Sequence, residues 1–393
     1  MSLVRHRVRD YFAGRTNRLL VLIVLLLLGI YLGLRVTLAM LSTPPPAPTP
    51  TAAPVVAAVD TPTPTTTSTP APTASFTPTS TATSSPTRTA TVTPTATPTA
   101  TPASTFKSTF SFHPVAVMID NHPDARPESG MAKADVVYEA LAEGGITRYM
   151  AIFANQDCEV VGPVRSARHY FVDWAYEYNA ILAHAGASPQ GFDAIDALGL
   201  LHMDDNAGAG YFWRSDAREA PHNLYTSTKE LRDMEPDTSG GTLTSLTFKD
   251  DQPLTQAQDI VRHLQVTYPG GYVVSYAYEP QDNAYWRAIE GSPNADAYLG
   301  VQYEPKNVAV LVIETWDIPG DDAGRQDMQI TGGGMAYYLV DGGMVKGTWY
   351  KDSLTTQTVF LDATGQPMRF NRGQTWIQIV PKEAEIKTTN GGE

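Results

Sequence analysis

The sequence predicts an α+β fold: an N-terminal mixed α/β domain, then a smaller, mostly β C-terminal domain, with a transmembrane helix and a disordered Thr/Pro-rich stalk ahead of both. Three observations predict it. An aliphatic run occupies Leu19 to Leu41, a low-complexity stretch follows it, and beyond Phe112 short β-type runs and helical patterns mix until about Thr242, after which alternation dominates.

Residues 1–18 form a basic tail in which Arg5, Arg7, Arg9, Arg15 and Arg18 face the single acid Asp10. Behind it, LLVLIVLLLLGIYLGL and VTLAML carry only Arg35 across residues 19–41, and a helix needs about 20 apolar residues to cross a bilayer core. Basic residues favour the cytoplasmic side, so the reading is a single-pass anchor with everything later outside. Thr37-Leu38-Ala39 is a poor cleavage site, and no Cys follows the span to take a lipid. Residues 42–106 are Thr, Pro, Ala and Ser, hold 15 of the 30 prolines, and lack the apolar periodicity of a core. Proline at this density predicts an extended spacer.

The first domain is placed at 107–245. HPVAVMID reads as a buried strand running into the turn-rich NHPDARPESG, and DVVYEALAE, Gly144-Gly145 and ITRYMAIF read as a hairpin. Pro163 suits a first helical turn, and Val164, Ala167, Tyr170, Phe171, Trp174, Ala175 and Tyr178 recur at helical spacing. AILAHAG then reads as a strand, Gln190 to Leu200 as a helix after Ser188-Pro189, and KELRDM as a third helix capped by Thr226 or Ser227. From 246 to 385, runs such as GYVVSYAY, NVAVLVIETW, MAYYLV and TWIQIV, separated by Gly, Pro, Asn and Asp turns, read as strands, with 386–393 as a tail. Trp286, Trp316 and Trp349 are expected in the core of this half, with a sugar-stacking surface as the alternative.

Charge and cysteine content exclude several functions. Residues 1–106 hold 7 Lys+Arg and 2 Asp+Glu, leaving 21 bases and 39 acids beyond them, a formal charge of −18. A region this acidic is not expected to bind nucleic acid or anionic lipid over a broad face. Cys158 is the only cysteine, so neither an internal disulfide nor a multi-cysteine metal site can form, and it is expected to be an inert buried thiol.

The candidate site begins at VGPVRSARHYFVDW. On a helix starting at Pro163, Arg165 and Arg168 would lie about 60° apart on one flank, at about 100° per residue. A helix N-terminus disfavours cations, so the pair needs an anion, supplied either by the chain or by a ligand. Asp120, Asn121, His122, Arg148, His184 and Ser188 stand in neighbouring turns and complete a ligand-binding set in which no residue is assigned as catalytic. Ser188, His184 and Asp120 are the residue types of an acyl-transfer triad, but Ser188 lacks the G-x-S-x-G context. Asp204, Asp205 and Asn206 lack the spacing of a Ca²⁺ loop, and Gly332-Gly333-Gly334 lacks the Lys-Ser/Thr of a phosphate loop, so neither metal nor cofactor is expected.

PVAVMIDNHPDARPESGMAKADVVYEALAEGGITRYMAIF, with GPVRSAR, AHAGASPQ, GTWYKDS and GQTWIQIVP in order after it, resembles the YerB-like family of bacterial envelope proteins over roughly Phe112 to Pro381. The resemblance implies two domains and a membrane-tethered extracytoplasmic protein, often a lipoprotein among relatives. It implies no activity and transfers no catalytic residue. The expected partners are the bacterial membrane, through one N-terminal helix, and a wall polymer or envelope protein. A wall-polymer-modifying enzyme and a purely structural role stay open as alternatives.

Overall fold

The computed structural model describes residues 106–390 apart from 209, 234–239 and 257–258. The expected basic tail (1–18), membrane span and stalk up to residue 105 lie outside the described residues; Phe106 packs edge-on against Phe248, and the expected C-terminal tail at 386–393 is paired strand as far as Asn390. Among the described residues, no helix is long and apolar enough to cross a membrane.

The elements that build the body are β1 (Val115–Asp120), β2 (Val136–Leu141), β3 (Thr147–Phe153), α1 (His169–Glu177), β4 (Ile181–His184), α2 (Pro189–Leu198), β5 (His202–Asp204) and α3 (Thr228–Asp233). They continue with β6 (Val261–Thr267), β7 (Val273–Glu279), β8 (Ala284–Ile289), β9 (Asn307–Val312), β10 (Gly332–Val340), β11 (Gly343–Lys351), β12 (Val359–Leu361), β13 (Thr375–Val380) and β14 (Glu385–Asn390). The regular structure of the described residues is therefore mostly β. This corrects the expected α+β architecture of a mixed α/β domain followed by a smaller β-rich one.

The correction has a specific cause. One ten-stranded mixed sheet runs β12-β11-β10-β9-β13-β2-β3-β1-β4-β5, so strands from both halves of the chain share it. Its seam is the parallel pairing of β13 with β2, where Thr375, Trp376, Ile377 and Gln378 face Val136, Val137, Tyr138 and Glu139. Local periodicity identifies each strand but cannot report a pairing between residues this distant in sequence. β1, β2, β3 and β13 are buried along their whole length, which explains their nearly continuous apolar runs.

A second sheet, with the two-residue strand Ser292–Pro293 at its edge and then β8-β7-β6-β14, sends polar side chains to the seam. Tyr276 on β7 donates to Gln378 Oε1 at 2.6 Å, and Gln378 Nε2 donates to the Tyr268 hydroxyl at 2.6 Å. Arg287 on β8 reaches Glu139 on β2 at 2.5 Å, with both side chains fully buried. Thr147 and Tyr272 also donate to Glu139 Oε1, at 2.8 and 2.9 Å. The Arg287 guanidinium lies 4.5 Å from the centroid of Trp376, and Asn294 accepts one of its N–H groups.

Local readings held where local chemistry decides. The β2 to β3 hairpin turns through Gly144 and Gly145 at φ 63° and 74°, as two glycines allow. Helix α2 starts at Pro189 behind Ser188, whose Oγ accepts from Gly191 N at 3.1 Å, and ends at Gly199 with φ 60°. The segment from Pro163 to Arg168 is the exception, being extended rather than helical, with α1 beginning only at His169. Its backbone is taken by neighbours: Val164 N donates to Leu224 O at 2.7 Å, Arg165 N to Met118 O at 3.0 Å, and Ala167 N to Gly186 O at 2.9 Å. Tertiary hydrogen bonding overrides the helical spacing there.

Cys158 is buried, its Sγ 3.4 Å from Val160 O, and burial pushes the thiol pKa up. Of the three tryptophans expected in the core, only Trp349 is buried; Trp286 and Trp316 are each 42% exposed.

Removing one member of a buried ion pair costs about 3 to 5 kcal/mol because the other charge is stranded. Chemical denaturation of Arg287→Met should show a loss of this size, and adding Glu139→Gln should restore part of it. Burial also raises the nearby Glu128 carboxyl from 4.5 to about 7, with Arg287 among the groups that partly offset it. The unfolded chain gives up this proton first, so Glu128 destabilises the fold progressively between those two pH values and by a constant amount above them. Thermal unfolding should therefore show Glu128→Gln gaining on the parent as pH rises through that window.

Candidate functional site

At the end of β1 the chain turns, and the Asp120 carboxylate becomes the centre of a polar cluster. Its Oδ1 accepts from His122 N at 3.0 Å, and its Oδ2 accepts from His222 Nδ1 at 2.7 Å. Arg165 Nε stands 3.1 Å from the same Oδ2 as an ion pair, yet without the alignment of a hydrogen bond. The Arg165 side chain is 28% exposed, and its position follows from the extended segment that pairs with Met118 and Ile119. The His122 and His222 rings stack at 4.7 Å and 17°.

Asn121 belongs to a different, buried set. Its Nδ2 donates to Thr147 Oγ1 at 2.6 Å and to the Tyr272 hydroxyl at 2.8 Å, while Arg126 Nε donates to its Oδ1 at 2.8 Å. It therefore couples the turn to the Glu139 network and presents nothing to solvent.

The two arginines of VGPVRSARHYFVDW part company. Arg168 is the residue before α1, with φ −121° and ψ 154°, and it is buried. It grips Glu143 with two N–H groups, Nε to Oε2 at 3.0 Å and NH2 to Oε1 at 2.6 Å. Arg148 donates to Glu143 Oε1 at 2.7 Å and to Ser166 O at 2.8 Å. Burial alone would raise the Glu143 carboxyl, but the two arginines hold it below the usual carboxylate range. The anion required by Arg148 and Arg168 is thus part of this chain. An extended backbone explains the split, since residues three apart on it face opposite sides.

His184 and Ser188 stay outside the Asp120 cluster. His184 is buried, with Nδ1 2.8 Å from Gly186 O and Nε2 3.0 Å from His202 Nδ1, and burial pushes its pKa down. Ser188 caps α2 and is 2% exposed. With both ring nitrogens of His184 occupied and the hydroxyl of Ser188 committed to Gly191 N, these residues do not assemble an acyl-transfer triad with Asp120.

Sequence reasoning missed His222. It follows Pro221 in a turn-rich stretch, and only the fold carries it 102 residues back to Asp120. Among the described residues, His122, Asp124 and His222 form one group whose possible ligand atoms all lie within 4.8 Å. His122 Nδ1 is taken by the Asp124 backbone N–H at 3.2 Å, and Asp124 is largely exposed, so the trio is loose for a metal.

The match to known proteins covers both halves of this body. Two family descriptions fit, "Protein of unknown function (DUF3048) N-terminal domain" over residues 100–240 and "Protein of unknown function (DUF3048) C-terminal domain" over residues 264–377. The chain belongs to this YerB-like family. It is 34% identical over 277 residues to the Bacillus subtilis (strain 168) protein named "Putative lipoprotein YerB", covering 68% of this chain and 81% of the relative. A crystal structure of YerB protein from Bacillus subtilis superposes with a TM-score of 0.61 at 32% identity, covering 70% of this chain and 94% of that one. The family is one of unknown function.

The geometry separates the arginines by experiment. Arg168→Ala strands Glu143 in part and should lower stability by about 1 to 3 kcal/mol, the cost of leaving a buried hydrogen-bonding group unpaired. Arg165→Ala should change stability by less than about 1 kcal/mol, as expected of a partly exposed ion pair. Denaturant unfolding of both variants checks the contrast.

Proposed function

We propose that this protein is a membrane-associated, extracytoplasmic envelope protein that binds an anionic ligand at Arg165, with His122 and His222 alongside. The observation that carries the reading is the difference among the arginines. Arg148 and Arg168 are spent on Glu143, whereas Arg165 meets the Asp120 carboxylate at 3.1 Å without an aligned hydrogen bond from Nε and its side chain stays 28% exposed. A forked guanidinium beside two imidazoles suits a phosphate or carboxylate.

Such a site would act locally, against a surrounding formal charge of −18. The relative's lipoprotein name and the five arginines ahead of the apolar run from Leu19 to Leu41 support the location. A peptidoglycan fragment or a phosphate-bearing wall polymer fits both the location and the chemistry. Nucleic acid does not fit so acidic a body.

Calorimetric titration of the full-length chain with peptidoglycan fragments and with a phosphate-bearing wall polymer tests the reading. At least one probe should bind saturably, and Arg165→Ala should weaken it by about tenfold or more, the scale of losing one charge-assisted contact. Equal affinity in a folded Arg165→Ala variant would remove the assignment.

A further inference from the structure

A second region carries an independent inference. Between α1, α2 and the paired strands Thr315–Asp317 and Gln326–Met328 lies an open groove of about 510 Å³. Two of its polar groups are left without partners. Asp173, on α1, is 3% exposed and accepts no hydrogen bond from any described residue, although it lines the groove. Gln190 Oε1, in the first turn of α2, is buried and also unpaired. An orphaned buried polar atom such as Gln190 Oε1 is rare in a folded protein, and it shares its cavity with the Asp173 carboxyl, which also has no partner among the described residues.

The rest of the lining narrows the ligand. Trp316 is 42% exposed at the groove and pairs across the strands with Asp327, whose Oδ1 lies 2.7 Å from His169 Nε2. An exposed indole supplies a flat apolar face, and the carboxyl and amide groups around it can receive hydroxyl or amide donors. Asp173, Asp193 and Asp327 make the lining acidic, with His169 as its one basic group, so an anionic polymer is disfavoured here. Burial raises the Asp173 carboxyl to about 7, which lets it donate as well as accept near neutrality. Two further hollows, of about 490 and 240 Å³, share Gln190 and Trp316 respectively, so the depression continues past a single ring.

We propose that this groove binds a neutral or amino-sugar oligosaccharide, with one ring stacked on Trp316 and its polar groups held by Asp173 and Gln190. The inference does not rest on the Arg165 reading, since it uses other residues and the opposite charge preference.

Titration of the full-length chain with an N-acetylglucosamine tetramer, its deacetylated form and an anionic uronate tetramer, followed by tryptophan fluorescence and calorimetry, tests it. At least one of the first two should bind saturably and about tenfold or more tighter than the uronate. Trp316→Ala should abolish the fluorescence change and weaken binding by about tenfold or more, and Asp173→Ala should also weaken it. Trp286→Ala, altering an equally exposed indole elsewhere, should leave binding unchanged. Absence of saturable binding at millimolar sugar, a preference for the uronate, or full affinity in Trp316→Ala would overturn the proposal.

Discussion

The Arg287 guanidinium meets Glu139 beside the seam where β13 joins β2, and neither side chain touches water. Two charges brought out of water cost several kcal/mol each, so the pair can persist only where geometry and further hydrogen bonds compensate. Here the compensation is dense. Thr147 and Tyr272 donate to Glu139, Asn294 accepts from Arg287, and the Trp376 face lies against the guanidinium. Because β2 supplies the acid and β8 the base, the second sheet can seat only where it satisfies them. The pair thus specifies how the two sheets join.

That constraint reaches the candidate site through Asn121. Its side chain hydrogen-bonds to Thr147 and Tyr272 inside the network, while the next residues on either side, Asp120 and His122, enter the polar cluster. The turn after β1 is therefore fixed from below by the seam. Arg165 arrives from an extended segment pinned to Met118 O, so the cluster is held by backbone pairing and not by helix geometry. Its neighbour Arg168 is drawn the other way, into the Glu143 anchor. A charge pattern that reads as one pair in sequence becomes one structural group and one partly open group.

How much was legible depended on the range of the interaction. Gly144-Gly145 announced its turn, Ser188-Pro189 its helix start, and the apolar run after His113 its buried strand, because each is decided by residues a few positions apart. The helix expected at Pro163 failed because the backbone N–H groups of Val164, Arg165 and Ala167 are taken by carbonyls distant in sequence, at Leu224, Met118 and Gly186. The β2 to β13 pairing, the approach of His222 to Asp120 and the union of β strands from both halves were invisible for the same reason. Trp316 was misassigned to the core since an alternating aromatic run does not say which face another layer covers. Within the candidate set, the residue types were legible and their partners were not.

The central claim is that the buried pair and the seam make the two sheets one cooperative body. Native-state hydrogen exchange across a denaturant series measures this directly. The account predicts that the most protected amides of β1 to β4, of β7 and β8, and of β9 and β13 converge on one opening free energy with one denaturant dependence. Exchange of β6 to β13 through a separate, lower-energy opening, while β1 to β4 stay protected, would contradict it.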